Sequence, residues 1–377
     1  MNNPFEPPSG RLALYVHIPF CERKCNYCAF ESAVPAAGET DAYLDALGRE
    51  LDLWQRRIGR PLLETCYFGG GTPTVLSAAQ WRRLARIVEE HFYFADDAEV
   101  TAEANPNSLN ADQLRVWRDW RVTRVSVGVQ SFDDAELHAL GRLHNACQAR
   151  DAISASLASG FAVSLDLMFA LPGQTFAGWA ASLHEAVRSG AGHISLYQLS
   201  IEKGTPWETL DQTKLPDGYE MYRWAQWYLP RKGFGQYEIA NFAKPGLCSR
   251  HNLNYWREGE YLGAGPAAAG YLGGWRWKNA GSLSAYIKRV NSGTFAFASG
   301  ERLDAEASAR EASVLALRTA AGIGRKEFAG RYGTAAFDYV ADRLRQFPGD
   351  LYELTESGVR LTKKGMRVAN IIWAELV

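Results

Sequence analysis

The sequence predicts an α/β fold in which parallel strands alternate with helices, followed by a smaller, mainly helical C-terminal domain. Two observations predict it. Short apolar runs rich in β-branched residues recur along the first half of the chain, and segments with apolar residues at helical spacing lie between them. Such alternation is typical of parallel strands joined by right-handed crossovers. The periodicity leaves open whether the strands form an open doubly wound sheet or a full or partial barrel.

Six strands are predicted in the first part of the chain, each a short apolar run. They cover residues 12–18, 63–68, 98–102, 122–127, 163–169 and 193–201. Helical spacing predicts six helices after them, covering residues 42–58, 78–92, 111–120, 149–157, 179–187 and 219–228.

The alternation stops after about residue 233, which suggests a change of organisation. Residues 234–240 are predicted to form a further strand, and the aromatic, glycine-rich segment up to about residue 278 is predicted to be irregular. Helical periodicity returns from residue 304. We therefore expect a core domain over 1–233, an extension over 234–290 and a helical domain over 291–377.

The composition is that of an ordinary globular protein. The 377 residues are 47% hydrophobic and 22% charged, and 41 basic side chains are balanced by 42 acidic ones. This balance provides no overall field for a phosphate backbone, so nucleic acid is not an expected partner. No secretory signal or membrane span is recognisable, which predicts a cytoplasmic location where the six cysteines are thiols or metal ligands rather than disulfides.

Every predicted strand is followed directly by a stretch rich in Gly, Pro, Asn or Cys. In chain order these stretches read PFC, GGGTP, EANP, GVQSF, LPGQT and EKGTP. The carboxyl ends of parallel strands share one face, which is where such folds bind their ligands. We therefore expect the functional site at this face.

Three cysteines lie in the long loop after the first strand, with the spacing C-x3-C-x2-C. They are Cys21, Cys25 and Cys28. Structural zinc needs a fourth ligand, and neither Cys66 nor His17 is obviously placed to supply it. The spacing favours an iron–sulfur cluster with one open iron, while zinc and unligated thiols remain alternatives.

These residues carry a resemblance to a known family. The segment YVHIPFC followed by C-N-Y-C resembles the opening of the radical S-adenosylmethionine (SAM) superfamily, in particular the group of oxygen-independent coproporphyrinogen III dehydrogenase. The motifs FGGGTP, EANP, RVSVGVQSF, LGRLH and LDLMFALPGQT agree with it. The resemblance implies a partial parallel (β/α)6 barrel with a 4Fe-4S cluster at its mouth, ligated by the three cysteines.

The same resemblance implies a SAM site at the strand ends. Glycines there would let backbone groups approach SAM closely, and the polar side chains would bond its amine, carboxylate and ribose. The residues implied are Tyr15, Tyr27, Gly69, Gly70, Gly71, Thr72, Glu103, Gln130, Arg142 and Asp166.

Two features distinguish branches of this family. The dehydrogenase has a further cysteine two positions after its third ligand, where this chain has Phe30. Residues 251–256 read H-N-x-x-Y-W, which resembles the signature of the haem chaperone (HemW-type) branch. The resemblance therefore implies a chaperone that binds haem, with His251 as a candidate axial ligand, and delivers it to respiratory cytochromes.

Other functions on this scaffold remain open. They are oxidative decarboxylation of coproporphyrinogen III, which the missing cysteine disfavours, and a radical methyltransferase. The implied partners are haem, a low-potential electron donor such as flavodoxin or ferredoxin, and a recipient haem apoprotein at or near a membrane. Ala269 replaces a histidine that chaperone relatives carry in G-x-G-x-G-A-H, so one contact of that branch is absent.

Overall fold

The computed structural model describes residues 10–377, and its first part alternates strands and helices as predicted. The six strands are β1 (Leu12–Ile18), β2 (Leu62–Gly70), β3 (Tyr93–Ala104), β4 (Arg124–Gln130), β5 (Ala162–Phe169) and β6 (His193–Gln198). The helices are α1 (Glu39–Ile58), α2 (Ala78–His91), α3 (Ala111–Asp119), α4 (Asp134–Ala139), α5 (Ala146–Ala158) and α6 (Phe176–Arg188).

The six strands form one parallel sheet in chain order. Each pairs in parallel with the next, from β1 to β6. The residues of β1 and β4 are buried along almost their whole length, as expected of parallel strands covered on both faces. The predicted α/β class is therefore confirmed, and the carboxyl ends of all six strands lie at the same edge of the sheet.

Three of these helices, α2, α3 and α5, begin with the same capping motif. Ser77, Asn110 and Asn145 each cap a helix with the side chain, and a glutamine three residues later bonds back to the cap backbone. The Asn145 box starts α5 three residues before the predicted helix at 149. The short helix α4, capped by Asp133, has no counterpart in the periodicity.

The remaining elements complete the described chain. They are α7 (Gly218–Arg231), β7 (Gly235–Gln236), β8 (Asn241–Ala243), α8 (Arg250–Trp256), β9 (Tyr261–Ala264), β10 (Ala269–Leu272), β11 (Trp275–Asn279), α9 (Leu283–Asn291), β12 (Phe297–Arg302), α10 (Ala305–Leu317), β13 (Ile323–Gly324), α11 (Arg325–Tyr332), α12 (Thr334–Leu344), β14 (Tyr352–Thr355), β15 (Gly358–Leu361), α13 (Lys363–Arg367) and α14 (Ala369–Ala374).

The glycine-rich segment before residue 278 is not irregular, so that prediction was wrong. β9 pairs in parallel with the outer side of β1, and β10 and β11 follow as an antiparallel pair. Glycines obscure these strands in the sequence because close packing requires them. A Cβ on Gly263 would collide with the Ala269 carbonyl, and one on Gly270 would collide with the Trp277 ring.

The chain divides into two compact units. The first comprises the residues up to Asp217 together with Glu260–Glu301, and the second comprises Gly218–Gly259 together with Arg302–Val377. The domain boundaries predicted near 233 and 290 stay predictions. Unit 1 contains β1 to β6 and the later segment Glu260–Glu301, which includes β9, β10, β11 and α9.

Unit 2 is mainly helical, with a small sheet in the order β13-β15-β14. Its core is formed by side chains such as Leu317, Phe337, Leu344 and Ile372, all nearly fully buried. The strand predicted over 234–240 is instead the antiparallel pair β7 and β8. No helix within residues 10–377 combines the length and the apolar character needed to cross a bilayer.

Candidate functional site

The loop that carries Cys21, Cys25 and Cys28 is fixed by hydrogen bonds at several points. The Cys21 N–H donates to the Ala33 carbonyl at 3.0 Å, and the Ala33 N–H donates to the Pro19 carbonyl at 3.0 Å, which closes the base of the loop. Asn26 holds its centre, because its side-chain Nδ2 donates to the Ala139 carbonyl at 2.8 Å. Its backbone N–H donates to the Leu140 carbonyl at 3.1 Å. The loop therefore has a defined path between the two ends.

A chain of hydrogen bonds joins two of the three thiols, and we call it the sulfur network. Thr72 Oγ1 donates to Cys21 Sγ at 3.4 Å and accepts from Asn105 Nδ2 at 3.0 Å. Arg142 Nη2 donates to Asn105 Oδ1 at 2.7 Å, and its Nη1 donates to Cys25 Sγ at 3.5 Å. The members come from the ends of β2 and β3 and from the turn after α4. The parallel topology therefore gathers them at one place.

The third thiol, Cys28, receives its hydrogen bond from the backbone of Phe30. Burial raises the pKa of Cys28, the Phe30 backbone lowers it, and the nearby Cys25 and Cys21 raise it. Within residues 10–377, no set of three or more His, Cys, Asp or Glu side chains is grouped as a metal ion would require. The ligand assignment therefore stays a prediction.

The residues around the loop nevertheless fit an iron–sulfur cluster with SAM beside it. Three soft sulfurs on one loop are the donor set of such clusters, and hydrogen bonds to sulfur are what tune them. Arg142 Nε is buried and has no acceptor among the described residues. A buried cationic donor of this kind, next to Cys25, suits a carboxylate such as that of SAM.

The three glycines at the carboxyl end of β2, Gly69 to Gly71, are explained by contacts within the protein rather than by the approach of a ligand. A Cβ on Gly69 would lie 2.8 Å from the Glu103 carboxyl, and one on Gly71 would collide with the Phe20 and Ile18 carbonyls. Gly70 has φ +101° and faces the His17 ring. These glycines are required by the protein's own packing, whether or not a ligand also approaches them.

Glu103 lies beside these glycines, at the end of β3. Its carboxyl accepts from Tyr67 Oη at 2.7 Å and from the Gly70 N–H at 3.2 Å. Burial raises its pKa to about 7, against the effect of these two donors and together with that of nearby Asp166. At neutral pH this carboxyl can therefore either accept from an amine or donate to a hydroxyl.

Two further predicted residues, Asp166 and Gln130, lie on β5 and at the end of β4. Burial raises the pKa of Asp166, while Ser195 is the strongest of the groups that lower it. Ser126 Oγ donates to Asp166 Oδ2 at 3.3 Å. Gln130 ends β4 with φ 65°, a conformation that non-glycine residues rarely adopt and that is common at functional sites.

The two tyrosines occupy different surroundings. Tyr15 Oη is 3.0 Å from His17 Nδ1, and the other ring nitrogen of His17 is 2.9 Å from the Glu31 carbonyl in the cysteine loop. Tyr27 packs in an apolar cluster with Leu140 and Trp207. Burial raises the pKa of both tyrosines. Tyr27 also lies close to Arg142, which lowers its pKa, and to Cys25 and Cys28, which raise it.

His251 lies in α8 of unit 2 and is 1% exposed. Its Nε2 is 2.7 Å from Tyr255 Oη. Burial lowers its pKa to about 3, so the imidazole is neutral across the physiological range. A neutral ring is suited to bind iron, but as placed the hydroxyl of Tyr255 occupies this nitrogen. The haem-ligand role therefore stays a prediction.

Two site residues were not singled out from the sequence. Asn105 stands inside the EANP motif and is the central link of the sulfur network, and Asn26 anchors the loop between Cys25 and Cys28. The signal available for Asn105 was its position directly after β3. Nothing in the sequence marked Asn26 except its place between two cysteines.

Comparison with known proteins agrees with this geometry. Residues 15–186 match the model of the radical SAM superfamily, and residues 303–368 match that of the HemN C-terminal domain. The chain is 36% identical over 368 residues to a Bacillus subtilis protein described as heme chaperone HemW, covering 95% of this chain and 97% of that one. The chain belongs to the HemW family of radical SAM proteins.

Two further relatives match over less of their length. Escherichia coli heme chaperone HemW is 38% identical over 266 residues, which is 69% of this chain and 70% of that one. Mouse radical S-adenosyl methionine domain-containing protein 1, mitochondrial, is 40% identical over 272 residues, covering 70% and 62%.

A solved structure shares the whole fold. E. coli coproporphyrinogen III oxidase (HemN), described as a radical SAM enzyme, superposes with a TM-score of 0.86 over 97% of this chain and 90% of that one, at 24% identity. At that identity the likeness extends to the fold alone. It supports the expected α/β architecture with a helical C-terminal part.

Proposed function

We propose that this protein is a cytoplasmic haem chaperone that holds a 4Fe-4S cluster and SAM and delivers haem to respiratory cytochromes. The observation that carries the haem part is near full-length similarity to proteins described as heme chaperones. The sulfur network carries the cofactor part. A low-potential donor such as flavodoxin or ferredoxin would reduce the cluster, and the recipient apoprotein is membrane-associated.

Cys21, Cys25 and Cys28 would ligate the cluster. When bound, the cluster and SAM supply one-electron chemistry that the side chains themselves cannot perform. Arg142 would orient the SAM carboxylate through its buried Nε while keeping its bond to Cys25. Glu103 would receive the SAM amine or a ribose hydroxyl, with Tyr67 fixing the direction of its carboxyl.

His251 would bind the haem iron through Nε2. Because that nitrogen is bonded to Tyr255 and the ring is buried, haem binding would require a local opening of α8. A site that must open would keep its cargo between uptake and delivery, because haem could leave only when α8 opens again.

The direct test is haem titration of the purified chain, followed by the Soret band. We expect saturable binding by the wild type and reduced affinity in His251→Ala. His138→Ala, at an exposed helical position, is the matched control and should bind as the wild type does. If the wild type shows no saturable binding, the chaperone proposal fails.

The cofactor part is tested separately by counting iron and sulfide after anaerobic reconstitution. Serine variants of Cys21, Cys25 and Cys28 should lose the metal, whereas Cys147→Ser, at an exposed thiol, should retain it. Unchanged iron in the serine variants would contradict the assignment. If the reconstituted protein formed protoporphyrinogen from coproporphyrinogen III at enzymatic rates, the chaperone hypothesis would be replaced by the dehydrogenase hypothesis.

A further inference from the structure

Unsatisfied polar atoms are concentrated around one arginine of unit 2. Arg318 follows α10, and its Nε is buried without an acceptor among the described residues. The buried indole N–H groups of Trp256 and Trp373 likewise have no acceptor among the described residues, and the buried oxygens Glu238 Oε2 and Asn241 Oδ1 have no donor among them. Buried polar groups are nearly always satisfied in native proteins, so such a group of exceptions calls for an explanation.

The aromatic rings show how these groups are arranged. The Arg318 guanidinium carbon lies 4.3 Å from the centre of the Trp256 ring and 5.1 Å from that of the Trp373 ring. Two indoles thus hold the guanidinium by cation–π contact and leave its N–H edge for another partner. Trp256 is the final residue of the H-N-x-x-Y-W motif, so this arginine packs directly against the sequence that distinguishes the chaperone branch.

The nearest acid does not satisfy the arginine. Glu238 Oε2 is 3.8 Å from Arg318 Nη2, beyond hydrogen-bond distance, and the carboxyl is fully buried. Its other oxygen is already used by the Ala240 N–H at 3.0 Å. Burial raises the pKa of Glu238 to about 7, so near neutral pH this acid is charged only part of the time. Arg318 therefore forms an ion pair with Glu238 and lowers the pKa of this acid, but it receives no direct hydrogen-bond acceptor from it.

The remaining groups favour an anion over a water molecule. Ordered water can satisfy neutral donors, but a guanidinium next to two unpaired indole N–H groups offers a cation and several donors together. A carboxylate, with two oxygens, matches the planar fork of arginine. The Arg318 side chain is 26% exposed, so a ligand can reach it without unfolding the core.

We propose that Arg318, held between Trp256 and Trp373, binds a propionate carboxylate of the haem that this chaperone carries. This inference rests on the proposed function, because the carboxylate is that of haem, the proposed cargo. It adds a second attachment point to the candidate iron ligand on α8. The two contacts would be chemically independent, one to the metal and one to the edge of the porphyrin.

The test compares haem with its dimethyl ester, whose propionates carry no charge. The full-length protein and Arg318→Gln are titrated with both. We expect the variant to bind haem roughly 10- to 100-fold more weakly, as the loss of a charge-assisted bond predicts. The affinity for the dimethyl ester should be the same in both proteins. The control is Arg310→Gln, since Arg310 lies within α10, the helix that Arg318 follows, and over the Tyr339 ring, but is paired with Glu306.

The possible outcomes separate the two proposals. If the wild type binds neither porphyrin, the proposed function fails and this inference with it. If the wild type binds haem but Arg318→Gln binds it equally well, or loses haem and ester alike, the propionate contact is overturned. Should Arg318→Gln fail to fold, Arg318→Lys replaces it, because lysine keeps the positive charge but lacks the planar fork. A lower affinity of this variant for haem, with unchanged affinity for the dimethyl ester, would support the propionate contact.

Discussion

Arg142 donates a hydrogen bond from Nη1 to the Cys25 sulfur at 3.5 Å. Its other terminal nitrogen bonds both Asn105 Oδ1 and the Gly128 carbonyl at 2.7 Å, so the guanidinium cannot turn away from the sulfur without breaking these bonds. The position of one cysteine of the loop is thereby tied to the ends of β3 and β4.

Replacing Arg142 should weaken metal binding. In Arg142→Gln the Cys25 sulfur loses its donor, and loss of such outer partners typically lowers metal affinity by about 10- to 100-fold. The measurement is iron loss from the reconstituted protein during chelator titration. Arg115→Gln, at an exposed position of α3, should follow the wild-type curve. Coincident curves for all three proteins would show that the hydrogen bond is irrelevant to the metal.

Gly70→Ala should destabilise unit 1. The left-handed φ of +101° and the collision of the new methyl with the His17 ring act together, so we expect a loss of roughly 3 kcal/mol in the free energy of unfolding. Gly173→Ala is the control, because φ there is +74° but nothing lies within 4 Å, and it should cost only about 1 to 2 kcal/mol. Urea unfolding measures both, and an equal cost would refute the role of His17.

Glu50 should make stability depend on pH. Its buried carboxyl accepts from the Gly265 N–H, Asn279 Nδ2 and Tyr286 Oη, each at 2.7 Å, yet burial raises its pKa to about 7. The folded state therefore holds a proton that the unfolded state releases near pH 4.5, and the stability from this group falls as the pH rises from about 4.5 to about 7.

The comparison that isolates this effect is wild type against Glu50→Gln. The difference in unfolding free energy should change by up to about 3 kcal/mol across that range, with the wild type losing more as the pH rises. Other buried acids, such as Glu103 and Glu238, are common to both proteins and cancel. Parallel pH profiles would mean that Glu50 is already ionised in the folded protein below pH 5.

Tyr255→Phe should strengthen haem binding if His251 is the iron ligand. The hydroxyl of Tyr255 lies 2.7 Å from His251 Nε2. In Tyr255→Phe, His251 therefore has no hydrogen bond to Tyr255 that must break before Nε2 binds the iron. Such a bond contributes about 0.5–1.5 kcal/mol, which corresponds to a gain in affinity of roughly 2- to 12-fold. Soret titration measures this gain. A loss of affinity would instead indicate that Tyr255, rather than His251, contacts the haem.

The six parallel strands could be predicted from the sequence, because each is a short apolar run that ends in turn residues. It was insufficient for β9 and β10, whose glycines are needed for close packing and mimic a loop. The strand-end motifs brought Thr72 and Glu103 to one face, as parallel topology requires, and Arg142 joins them from the turn after α4. The burial of His251 and its bond to Tyr255 depend on tertiary packing, which a motif of six residues does not encode.

The pairing of β9 with β1 bears on which fragments of this chain can exist alone. The radical SAM family match ends at residue 186, but the outer side of β1 is covered by Tyr261–Ala264, far along the chain. A fragment that stops before this segment would present an unpaired, almost wholly apolar strand to solvent, which is a template for intermolecular pairing and aggregation. During synthesis, the outer edge of β1 can therefore pair only after β9 has been made, 248 residues further along the chain.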